Sequence, residues 1–224
     1  MAKGALSAAR IKAGLVELEG ELALPDSPMG MVVFAHGSGS SRHSPRNRYV
    51  AHALQEGRLG TLLMNLLTPA EDQIDSRTAE LRFNVELLAE RVIAAVDWAE
   101  SHPALQGLNV GLFGASTGAA AALVAAAARP AQVSAVVSRG GRPDLAGTAL
   151  PQVRAATLLI VGGSDPTVLE LNRAALRQLP GEKELKIISG ATHLFKEPGA
   201  LEEVSRLAQG WFQRHLGRQN TNAA

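Results

Sequence analysis

Short apolar runs alternate with longer amphipathic stretches along this chain, the pattern of a mostly parallel sheet covered by helices. Apolar runs at 31–35, 61–64, 109–113, 133–137, 156–161 and 185–188 predict strands. An opening hairpin is predicted from 15–18 and 22–24, turning at Glu19-Gly20. Ser44-Pro45 starts the first helix, with Ser as N-cap and Pro at the first helical position. In the second, Leu81, Val85, Leu88, Val92 and Val96 recur at three- and four-residue steps, which leaves Glu86, Glu90 and Arg91 to solvent. An Ala-rich helix runs from Thr117 to Arg129 and stops at Pro130. Stretches 167–179 and 201–215 predict the last two. The fold class is α/β, one domain over 1–224, with about 1–12 and the polar tail 218–224 expected to be flexible. The Gly- and Pro-rich span 138–155 is too short to hold a lid domain, so a site beside it should be open.

Composition narrows the function classes. With 224 residues and 46% hydrophobic content, the chain can bury a full core. Lys+Arg is 22 and Asp+Glu 21, for a net charge of +1, so no excess field exists to hold a nucleic-acid backbone. Cysteine is absent, which removes disulfides, thiolate metal sites and a Cys nucleophile. No run approaches the ~18 apolar residues of a membrane span, and 1–6 lacks the apolar stretch of a signal peptide. A cytoplasmic protein without membrane attachment is the expectation. There is no H-E-x-x-H and no G-x-G-x-x-G, so neither a metal nor a dinucleotide cofactor is expected.

Chemistry concentrates in three places. Gly114-Ala115-Ser116-Thr117-Gly118 matches G-x-S-x-G between a predicted strand and a predicted helix, where the motif's mechanics need it: a sharp turn with Ser at its tip. A hydroxyl is a weak nucleophile near neutral pH and needs a base, itself oriented by an acid. Asp165, after the strand ending at Val161, and His193, after the strand ending near Ser189, supply these in the order Ser, Asp, His. Asp144 is the rival acid; Asp72 and Asp75 read as helix-start carboxylates. His52, His102 and His215 fall where surface or packing roles are expected. The loop after Ala35, beginning His36-Gly37-Ser38-Gly39, reads as an oxyanion loop. The N–H groups of Thr117 and Ser38 are the expected donors, with His36 bracing the loop.

Arg42, Arg46, Arg139 and Arg142 fall in loops predicted to rim the crevice. Arg42, Arg139 and Arg142 are candidate substrate-binding residues for a carboxylate or other anion. The alternative is a loop network in which Arg42 or Arg46 bonds carbonyls or pairs with Asp144.

These motifs, with Ser138-Arg139-Gly140-Gly141-Arg142-Pro143-Asp144 and Gly190-Ala191-Thr192-His193-Leu194-Phe195, carry a family resemblance. The chain resembles the α/β-hydrolases grouped with the dienelactone hydrolases, and within them a small lidless branch also found fused to phosphoribosyltransferase domains. The likeness extends from about Phe34 to Phe212. It implies the α/β-hydrolase fold: a mostly parallel central sheet with helices on both faces and no lid domain. Typical dienelactone hydrolases carry Cys where this chain has Ser116, so ordinary ester hydrolysis is the better expectation.

The leading expectation is a serine esterase for small to medium acyl groups, acting through Ser116, His193 and Asp165 on a small-molecule ester, without cofactor or metal. Acyl transfer or thioester cleavage by the same triad, and a non-catalytic scaffold acting as a binding module, are the alternatives. A monomer or homodimer fits either case.

Overall fold

The computed structural model describes residues 5–217. Eight strands form one sheet: β1 (Ala5–Ala13), β2 (Val16–Leu24), β3 (Met31–Ala35), β4 (Gly60–Met64), β5 (Val110–Ala115), β6 (Val133–Arg139), β7 (Ala156–Gly162) and β8 (Lys183–Ile188). Their order across the sheet is β1-β2-β4-β3-β5-β6-β7-β8. Only β1–β2 and β2–β4 pair antiparallel; every other ladder is parallel. Six α-helices are described: α1 (Pro45–Glu56), α2 (Pro69–Thr78), α3 (Val85–Ser101), α4 (Thr117–Ala128), α5 (Pro166–Gln178) and α6 (Ala200–Leu216).

The central strands are buried on both faces, and the two-residue period of a strand sends alternate side chains to two cores. Met31, Val33 and Ala35 of β3 join a core with α3, α4 and α5 residues such as Val92, Leu123 and Ala175. Val32 and Phe34 join the opposite core with Val50 and Leu54 of α1 and Val204, Trp211 and Phe212 of α6. Helices therefore cover both faces, and no lid domain is inserted. The 138–155 span holds short 3-10 turns within Pro143–Gln152, broken by a kink at Gly147.

Several expectations change. The hairpin turns at Gly14 and Leu15, not at Glu19-Gly20, which are paired strand positions. Gly14 takes the positive φ that this tight turn requires (63°). Residues 5–12, expected to be flexible, are the edge strand β1, held by burial of Ala9 and Ile11. The tail 218–224 and residues 1–4 lie outside the described residues. Helix α2 has no apolar periodicity, because its ten residues carry one large apolar side chain, Ile74, and that is exposed; Asp72 lies in its first turn as expected, whereas Asp75 lies beyond it and is buried. A capping box defines the helix instead: Thr68 Oγ1 accepts from Glu71 N–H while the Glu71 carboxylate accepts from Thr68 N–H. The predicted start of the next helix at Leu81 is a 3-10 turn, and α3 begins at Val85 behind its cap Asn84. At the far edge β8 is mostly solvent-exposed and carries Lys183 and Lys186, charges that discourage edge pairing.

Helix α6 lies so close to β5 that a Cβ on Gly111 would meet the Phe212 ring at 2.6 Å. Phe212 is fully buried. Phe212→Ala is expected to lower unfolding free energy by about 3–5 kcal/mol, measured by urea titration.

Candidate active site

The parallel strands β3, β5, β6, β7 and β8 release their loops on one edge of the sheet, and the sequence-predicted site residues meet there. Ser116 occupies the junction of β5 and α4 with φ 51° and ψ −122°, a conformation that side-chain-bearing residues rarely adopt. Such backbone strain costs on the order of 1–3 kcal/mol. It is held by neighbours: Ser116 N–H donates to the Arg139 carbonyl (3.3 Å), and the Ser116 carbonyl accepts from Arg142 N–H (3.0 Å). The flanking glycines answer to close approach. A Cβ on Gly114 would lie 2.4 Å from Ala119 Cα, and one on Gly118 would lie 2.3 Å from the Ala35 carbonyl oxygen.

Asp165 follows β7 and His193 follows β8. His193 Nδ1 lies 2.8 Å from Asp165 Oδ2, the His side chain 39% exposed and the carboxylate 16%. Paired this way, Nδ1 carries the proton and Nε2 is the nitrogen left for chemistry. His193 and Ser116 line one cavity of about 260 Å³, with Arg46, Asn47, Arg139 and Leu194 among its other walls. Two residues past His193, Phe195 takes a positive φ (53°) and is almost wholly buried, anchoring the loop in the α6-side core. Asp144, the rival acid, forms a bidentate pair with Arg142 (2.8 and 2.7 Å) and so belongs to the loop after β6.

The loop after β3 approaches Ser116 closely: a Cβ on Gly37 would be 3.0 Å from Ser116 Cβ. Thr117 stands at the first helical position, where its N–H has no intrahelical acceptor. Ser38 is brought beside it, but with a difference from expectation. Its N–H donates to Thr117 Oγ1 at 3.0 Å, so the hydroxyl occupies the donor expected to face an oxyanion. His36 braces the loop: Nε2 accepts from Leu66 N–H (3.0 Å), and Nδ1 donates to the Gly37 carbonyl (3.0 Å). Burial holds its pKa below the usual 6.5, despite the Gly37 hydrogen bond.

The arginines separate into two groups. Arg42, a candidate substrate ligand, is instead a brace: its guanidinium lies 2.7 Å from Glu19 and 3.7 Å from Glu21. Those two glutamates share one face of β2 through its two-residue period, which is why one side chain meets both. Arg142 is likewise spent on Asp144. Arg139 alone of the three candidates lines the Ser116 cavity, joined there by Arg46. Sequence reasoning missed Asn47, buried at the third position of α1, and the Asp75–Arg82 pair, which walls a neighbouring cavity of about 720 Å³. Neither has a local motif; Asp75 and Arg82 meet only because α2 and the turn after it fold back on each other. Among the described residues there is no group of three or more His, Cys, Asp or Glu able to hold a metal, and no helix is long and apolar enough to cross a membrane.

A sheet of this order, with a serine at the turn after β5, Asp after β7 and His after β8, defines an α/β-hydrolase. Residues 51–216 match the dienelactone hydrolase family, and the chain belongs to that family. It is 56% identical to a dienelactone hydrolase from Anabaena variabilis, covering 96% of this chain and 100% of that one, with a TM-score of 0.95. It is 55% identical over 207 residues to two Mycobacterium tuberculosis proteins that carry a provisional name as phosphoribosyl transferases. That match covers 92% of this chain and 46% of theirs, so the chain spans about half the length of these relatives. An esterase from Pyrococcus furiosus, at 16% identity, shares the fold (TM-score 0.72, covering 96% of this chain and 94% of that one).

The neutral, buried His36 has a measurable signature. Its depressed pKa means the unfolded chain binds the extra proton first, so stability is complete above about pH 6.5 and falls as pH drops below it. His215, also depressed by burial, acts in the same direction. Urea midpoints measured between pH 8 and 5 should fall, and His36→Gln should flatten part of that slope.

Proposed function

We propose that this chain is a serine-dependent hydrolase of carboxylic esters, with Ser116 as nucleophile, His193 as base and Asp165 orienting the base. The observation that carries the reading is the 2.8 Å Asp165–His193 pair, delivered to the same cavity as a serine on a strained elbow. Ser116 Oγ attacks the acyl carbon while its proton passes to His193 Nε2. The alcohol leaves with that proton, and water activated by His193 then releases the acid from the acyl-enzyme.

Developing negative charge on the carbonyl oxygen is held by Thr117 N–H. Ser38 N–H becomes the second donor when Thr117 turns its hydroxyl away. The cavity beside Ser116 suits small to medium acyl groups. It adjoins the larger cavity through Gly37, Ser38, Ser40, Ser44 and Arg46, which leaves room for varied leaving groups. No step calls for a cofactor or metal. The remaining features of the reading are a small-molecule substrate rather than nucleic acid or membrane, a monomer or homodimer, and a cytoplasmic setting.

A fluorophosphonate should place one adduct on Ser116, located by peptide mass spectrometry and absent in Ser116→Ala. No adduct, or an adduct elsewhere, would return the chain to the scaffold reading. On p-nitrophenyl acetate, Asp165→Asn should lower kcat about ten-thousand-fold, by presenting the wrong imidazole tautomer. Asp144→Asn, which only loosens the Arg142 pair, should keep most activity. Equal losses in the two variants would sink the assignment of the acid.

A further inference from the structure

Among the described residues, the arginines without a carboxylate partner are exposed to water (Arg58, Arg77, Arg154, Arg177 and Arg214), apart from two that are shielded from it. Arg48, Arg82, Arg91, Arg129, Arg142, Arg173 and Arg206 each meet a carboxylate, several on open surface. The two that line the Ser116 cavity do not. Arg139 is 7% exposed, yet its Nη1 has no hydrogen-bond partner and no carboxylate reaches its guanidinium among the described residues. Its neighbours are the Phe113 ring, 5.8 Å from the guanidinium carbon, and a second cation, Arg46. Arg46 Nε is also buried without a partner. Burial, reinforced by Arg46, lowers the Arg139 pKa to about 10, which still leaves it charged near neutrality.

An uncompensated buried cation is costly, and two facing one cavity are costlier, because each destabilises the other. The cavity is also polar on its α1 side. Pro45 has no N–H and Asn47 N–H is taken by Ser44 Oγ, so Arg46 N–H remains free of helical partners at a helix N-terminus, where anions are favoured. We propose that Arg46 and Arg139 form a subsite for a phosphate monoester dianion, and that the esters hydrolysed at Ser116 carry such a group. This rests on the esterase reading. A single carboxylate would leave one of the two cationic charges unbalanced. A phosphate dianion balances both, and its three oxygens can accept from two forked guanidinium groups at once.

The test is isothermal titration of the whole protein at pH 8 with methyl phosphate, beside methyl sulfate and acetate as singly charged controls. Methyl phosphate should bind at least tenfold more tightly than either and should inhibit p-nitrophenyl acetate hydrolysis competitively. Arg46→Met, at a half-exposed position that tolerates change, should weaken binding at least tenfold. Arg139→Lys keeps the charge but loses the fork, so it should weaken binding by a smaller factor. Arg173→Met, on an exposed helix face, should match the wild type. Equal affinity for all three anions, or binding insensitive to both cavity variants, would show an adventitious ion only and overturn the subsite. Fluorophosphonate labelling of Ser116 separates the two readings. A labelled protein that ignores methyl phosphate loses only the subsite, whereas an unlabelled one that binds it loses only the esterase.

Discussion

The first turn of α4 runs so near β5 and the end of β3 that two of its contacts leave no volume for a Cβ. Gly118 faces the carbonyls of Ala35 and His36, and Gly114 faces the backbone of Ala119. Everything else at the site follows from that approach. It forces Ser116 into its strained conformation and brings the loop after β3 against that serine. It also places the free N–H of Thr117 at the tip of the elbow. The helix can come this close because it is almost entirely alanine: Ala119, Ala120, Ala121, Ala122, Ala125 and Ala126 are all buried, with Leu123 the one large fully buried side chain among them. A helix of larger residues would stand farther off and carry the serine away from its partners.

Much of this was legible before any coordinates. The strands were visible because a sheet covered on both faces needs continuous apolar runs, and Met31–Ala35 or Ala156–Gly162 are hydrophobic at nearly every position. The places of Ser116 and Asp165 are legible because each follows such a run, and that of His193 because it follows the last strand, in the order this fold imposes. What stayed hidden shares a cause. The turn at Gly14-Leu15 is set by pairing of β1 with β2 across nine positions, and a local Glu-Gly dipeptide competes with it on paper. Helix α2 is held by caps and ion pairs rather than by an apolar face. The arginines were the hardest, since whether Arg42 meets Glu19 or a ligand depends on strand neighbours that lie far apart in sequence. Local pattern reads burial well and partners poorly.

Charge is distributed with the same economy of position. Nearly equal numbers of acidic and basic residues give a net charge of +1, and most arginines find acids close by. Among the arginines shielded from water the exception is spatial rather than compositional: Arg46 and Arg139 at one cavity keep their charge unbalanced while the molecule as a whole is close to neutral. A chain whose bulk charge gives no reason to expect an anionic ligand can therefore hold a concentrated positive field where a ligand would enter.

The exposure of His193 has a kinetic meaning. His193 is already open to solvent, on a loop pinned by the buried Phe195 ring, and in the proposed role of base it has no inserted domain to lift before substrate arrives. Encounter and chemistry are thus not separated by lid opening, and the turn of the Thr117 hydroxyl is a local side-chain step. For the esterase proposed above, rate would follow the concentration of dissolved substrate, with no jump at the point where droplets begin to form.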